Sequence, residues 1–101
     1  MAAPGFFLIY IERDASVSLD DLKKVIDNAL HWYRLNSKVW IVYTTSDAEK
    51  WYGRLKKFVE INGNIFICRL DISDRQGWMN KEFWRWLHEM EDKYDEKREK
   101  A

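Results

Sequence analysis

The stretch His31-Trp32-Tyr33-Arg34-Leu35-Asn36-Ser37-Lys38-Val39-Trp40-Ile41-Val42-Tyr43-Thr44-Thr45 decides the fold. Its strand-favouring side chains fall into two runs, and Asn36-Ser37-Lys38 between them supplies turn formers, so the spacing predicts two strands joined by a tight hairpin. Working toward the N-terminus, Phe6 to Ile11 is an unbroken apolar run that ends at Glu12-Arg13-Asp14. Such a run predicts a strand buried on both faces. Between it and the hairpin, Ser18 is placed to cap a helix. Asp20 and Asp21 suit the positive end of the helix dipole, and Leu19, Leu22, Ile26, Ala29 and Leu30 recur at helical spacing, which extends the helix to about Leu30.

Toward the C-terminus, Ser46 and Glu49 match a capping box, and Trp51, Tyr52, Leu55, Phe58 and Val59 follow as the apolar face of a second helix. Asn62-Gly63 is expected to close that helix with a left-handed residue, and Ile65 to Ile72 to form a fourth strand. Asn80 then caps a third helix in which Phe83, Leu87, Met90 and Tyr94 share a face. Beyond Glu91 that helix becomes highly charged and is expected to fray. The i,i+4 pairs Glu89 with Lys93 and Glu96 with Lys100 suit a solvated helix end.

The order β-α-β-β-α-β is the split βαβ arrangement of a ferredoxin-like α+β fold: a four-stranded antiparallel sheet, here with an added C-terminal helix. It puts the first and third strands at the centre, and these are the most apolar ones. Apolar side chains alternate onto both faces of each, whereas two crossover helices cover a single face. The other face must therefore meet the third helix, a second subunit, or both.

With 101 residues the chain has material for one core. Residues 1–88 are read as one domain that includes the start of the C-terminal helix, and 89–101 as a charged helical tail. Hydrophobic residues are 47% and charged residues 34%, with 17 Lys plus Arg against 17 Asp plus Glu. A balanced charge gives no whole-domain field toward nucleic acid or an anionic membrane, so a polyanion would need a local patch. The lone Cys68 excludes an internal disulfide, a cysteine metal cluster and a CxxC redox motif, and its apolar strand neighbours predict an inert core thiol. No run is long enough for a membrane span or a signal-peptide core. The expected setting is cytoplasmic, with no membrane partner.

Trp32-Tyr33-Arg34-Leu35-Asn36-Ser37-Lys38-Val39-Trp40, then Gly77-Trp78, then Trp84-Arg85-Trp86-Leu87, form a pattern that resembles the small SinR-like proteins, relatives of the CRISPR-associated spacer-acquisition subunit, the second Cas protein. The resemblance spans about Phe6 to Leu87 and rests on aromatic packing signatures. It implies a ferredoxin-like protomer that pairs into a homodimer, a non-catalytic structural or interaction module with nucleic acid as a candidate partner. The alternative it implies is a divalent-metal nuclease acting on RNA or DNA. In the nuclease relatives an Asp follows the Tyr at the end of strand one and holds the metal between subunits. Here Tyr10 is followed by Ile11, which offers Mg²⁺ no oxygen, and the relatives' Asn-Asp turn reads Gly63-Asn64. The pattern thus implies no cofactor, with Mg²⁺ entering only under the alternative.

The candidate residues follow. Glu12 and Asp14, two apart past a strand end, are the acids that would clamp a metal with help from Asp71 or Asp74, although a polar loop is the simpler reading. Lys50, Arg54 and Lys57 step along one side of the second helix and, with Arg34 and Lys38 at the hairpin, are the candidate nucleic-acid contacts; a solvated face is the plainer alternative. Trp40, Trp84 and Trp86 are candidate interface residues, with packing in the core as the alternative. An RNA-stacking platform is disfavoured, because Trp40 sits among Ile and Val and the other two lie on a helix. His31 and His88 lack ligand-spaced partners, and no nucleophile-base constellation is visible.

Overall fold

A computed structural model of the chain describes residues 3–100, with side chains described as far as Lys93. The elements are β1 (Gly5–Glu12), α1 (Leu19–Ile26), β2 (His31–Arg34), β3 (Val39–Thr44), α2 (Ala48–Leu55), a 3-10 turn (Lys56–Phe58), β4 (Asn64–Leu70) and α3 (Lys81–Lys100). The strands form one antiparallel sheet in the order β2-β3-β1-β4, so the two most apolar strands are central. Together they make a small mixed α/β domain. Among the described residues no helix is long and apolar enough to cross a membrane.

Strand alternation sorts the sheet's side chains into two cores. Phe7, Ile9 and Ile11 of β1, with Trp40 and Val42 of β3, pack under α1 and α2 against Leu22, Ile26, Trp51, Leu55 and Phe58. On the opposite face Phe6, Ile41 and Tyr43 meet Phe83, Leu87 and Met90 of α3. The third helix is therefore the companion that the apolar second face requires. Burying its three large side chains contributes on the order of 5–9 kcal/mol as an upper bound, comparable with a domain's net stability. Met90 is only 2% exposed, so the packed domain continues past residue 88.

Local capping explains where the helices begin and where expectation and structure part. Ser18 caps α1 by accepting from the Asp21 amide, but the helix ends at Ile26 rather than Leu30. The Asn28 side-chain amide donates to the Val25 carbonyl and the Trp32 indole donates to Asp27, closing the helix ahead of β2. Asp47, not Ser46, caps α2, accepting from the Lys50 amide. In the hairpin the Asn36 side-chain oxygen accepts from the amides of Lys38 and Val39, which is what that turn needed. Asn80 caps α3 through the Phe83 amide. Tyr94 and the Glu96–Lys100 pair lie outside the described side chains.

Gly63 does not adopt the left-handed conformation expected of it, since no residue among those described has positive φ. Glycine is required there by close approach instead. A Cβ at 63 would stand 2.3 Å from the Glu12 carbonyl oxygen and 2.8 Å from the Val59 Cα. β4 begins one residue before Ile65 and stops at Leu70, short of Ile72.

Candidate functional site

Where β1 ends, the chain and the β2–β3 turn enclose a cleft of about 290 Å³ lined by Glu12, Arg13, Asp14, Ser37 and Lys38 among others. The Ile11 amide donates to the Lys38 carbonyl at 2.8 Å, which fixes the hairpin beside the strand end. Three sequence-derived candidates thus share one cleft. Their carboxylates, however, have other partners.

Glu12 sits with Tyr10 on the α3 side of the sheet. It accepts a short hydrogen bond from the Tyr10 hydroxyl and pairs with the Lys38 ammonium at 3.3 Å. These two donors hold the Glu12 carboxyl below its usual range, and the same bond pushes the Tyr10 phenol up. At neutral pH the site is therefore a carboxylate whose charge is already met by an ammonium. Asp14 is 2% exposed. Its two oxygens accept from the amides of Asn62 at 2.9 Å and Ile61 at 3.0 Å, and those backbone bonds lower its pKa. Asp14 thus acts as a clamp between the end of β1 and the loop before β4, reinforced by the Asp14 amide donating to the Phe58 carbonyl.

Help from Asp71 or Asp74 is excluded by the register. Glu12 pairs with Asn64 at one end of the β1–β4 ladder, while Phe6 pairs with Leu70 at the other. Six strand residues separate those ends by about 20 Å. Asp71 is instead bonded to the amide and hydroxyl of Ser73. Among the described residues no group of three or more His, Cys, Asp or Glu could hold a metal ion. Ile11, the residue after Tyr10, points into the core at 2% exposure.

The basic candidates are dispersed. Arg34 stacks over the Trp40 ring at 4.9 Å and donates to the carbonyls of Asn36 and Ser37, bracing the hairpin. Arg54 lies over Trp51 and Lys57 over Phe58, at 4.8 and 5.3 Å. Lys50 and Lys57 are exposed on the outer side of the α2 region. Of the aromatic candidates, Trp40 is used inside the domain, at 0% exposure beneath the two crossover helices. Trp84 and Trp86 are half-buried on the α3 core, Trp86 lying edge-on to Phe6 at 6.3 Å.

Sequence reasoning missed the β4 surface. Ile65 and Ile67 turn toward the α1/α2 core, whereas Phe66 and Cys68 face the other way, where α3 does not reach. Phe66 is 62% exposed and Cys68 is exposed, correcting the expectation of a buried thiol. The available signal was β4's place at the edge in a four-stranded order, which gives its side chains one neighbouring strand rather than two. Along the β4 edge beside α2, a second cleft of about 290 Å³ is lined by Glu49 and Tyr52 with Ile65, Phe66 and Ile67. Comparison of the chain with family models, curated proteins and solved structures finds no match in any of the three.

Proposed function

We propose that the protein is a non-catalytic, homodimeric, ferredoxin-like interaction module of the SinR-like, CRISPR-adaptation-related group, working in the cytoplasm. The observation that carries the dimer is the outward face of β4. Phe66 is 62% exposed on a regular strand, next to exposed Cys68, and Tyr52 beyond the edge is 51% exposed. Large apolar side chains gathered at one sheet edge favour a protein partner over water.

The non-catalytic reading is supported by the carboxylates at the end of β1, which already bond Tyr10, Lys38 and the loop amides. Nucleic acid is the partner class that the family resemblance implies, and Lys50 and Lys57 are the exposed cations on which it would rest.

Sedimentation equilibrium across a dilution series tests the reading. The expected mass is twice that of the chain, and Phe66→Glu should return it to that of one chain with the far-UV circular dichroism unchanged. A single-chain mass for the wild type at every concentration would overturn the dimer.

A further inference from the structure

β4 is hydrogen-bonded to β1 on one side only, and its other edge is unpaired among the described residues. Edge strands in monomeric proteins are blunted by shortness, proline, bulges or charges pointing across the edge. β4 has none of these. It runs seven residues, Asn64–Leu70, in unbroken register with β1 and contains no proline. Its one charged residue, Arg69, stacks over the Phe7 ring at 4.7 Å on the α1/α2 side and does not guard the edge. The opposite edge strand, β2, is four residues long.

We infer that a second copy of this chain pairs antiparallel with the β4 edge about a two-fold axis at Ile67, joining the two sheets into one of eight strands. The inference rests on the homodimer reading and specifies its geometry. A two-fold centred on Ile67 matches the whole strand to itself, so Phe66 faces Cys68 of the partner subunit and Ile65 faces Arg69 of the partner subunit. The first match sets the exposed apolar residues of the two copies side by side on one face. The second sets Ile65 beside the stem of Arg69 of the partner subunit, whose guanidinium stays over Phe7, and symmetry repeats that match. The unguarded edge and the self-complementary apolar pattern of Phe66 against Cys68 select a second copy as the occupant.

Cysteine coupling tests the register. Directly opposed residues of an antiparallel pair lie about 4.5–5.5 Å apart, within disulfide reach, whereas diagonal neighbours lie about 7–8 Å apart and are out of reach. Wild-type chains, whose two Cys68 residues are diagonal, should stay unlinked in oxidised glutathione. Phe66→Cys should convert most of the chain to a reducible covalent dimer through Cys68 of the partner subunit, and adding Cys68→Ser should abolish that band.

The mass of the non-oxidised wild type is measured in parallel. A dimeric mass with no band for Phe66→Cys, or with a band that survives Cys68→Ser, overturns the edge pairing and leaves the homodimer standing. A monomeric mass at every concentration overturns both.

Discussion

Leu87→Ala tests whether α3 forms a layer of the domain. Leu87 is 3% exposed and packs on the second core with Phe6, Ile41 and Tyr43. Removing three buried carbons loses their transfer free energy and leaves a cavity that α3 and the sheet close only in part, a loss of about 2–5 kcal/mol. In a chain of this size each kcal/mol moves the midpoint by roughly 4–8 °C, so the thermal transition should fall by about 10 °C or more. Urea denaturation followed by tryptophan fluorescence gives the same quantity independently, with Arg85→Ala as the exposed control on the same helix, expected within about 0.5 kcal/mol of the wild type. If Leu87→Ala proved as mild as its control, α3 would not be packed on the sheet and the two-core description would fail.

Further outcomes follow from individual contacts. Gly63→Ala drives a Cβ into the Glu12 carbonyl and the Val59 backbone, and should cost about 1–3 kcal/mol by denaturant titration; a change below about 0.5 kcal/mol would contradict the close approach. His31 has its pKa lowered from 6.5 by burial and by Lys93, whose Nζ lies 3.5 Å from Nε2, with Glu89 opposing. The unfolded chain therefore takes up this proton first, so stability should decline as pH falls below 6.5, and His31→Gln should remove that portion of the profile. Glu12, Asp14 and Glu91, the last accepting two hydrogen bonds from the Arg75 guanidinium at 2.8 and 3.1 Å, carry depressed pKa values, so their contribution is present above the ordinary carboxylate range, 4.5 for Glu and 3.8 for Asp, and is lost as acid drives protons onto the folded state; a flat acid limb would contradict these partners. Millimolar Mg²⁺ or Mn²⁺ should leave the melting temperature unchanged and support no cleavage of RNA or DNA, whereas cleavage abolished by Glu12→Gln would restore the nuclease reading.

What the sequence made legible was set by periodicity and capping. Alternation in β1 and β3 announced two buried faces, and the face shared by Phe83, Leu87 and Met90 supplied what covers the second one. Less legible were features fixed by competition between near neighbours. Ser46 and Asp47 both suit a cap, and only the geometry of the turn after Thr44 selects Asp47. Asp14 reads as a loop acid in one dimension, because its partners Ile61 and Asn62 lie 47 and 48 residues away. Cys68 was misjudged because an apolar run on an edge strand resembles one in a sheet's interior until the neighbours on each face are known. Trp40 stayed open between core and interface for the converse reason: a strand aromatic suits a subunit contact as well as a core, and its position under α1 and α2 decides for the core.

Amide hydrogen exchange along Asn64–Leu70, compared between concentrated and highly diluted protein, tests the joined sheets most directly. The outward-facing amides of β4 should be protected at high concentration and exchange freely on dilution, while those bonded to β1 stay protected throughout. Outward amides that exchange freely at every concentration would mean that no second strand lies along that edge.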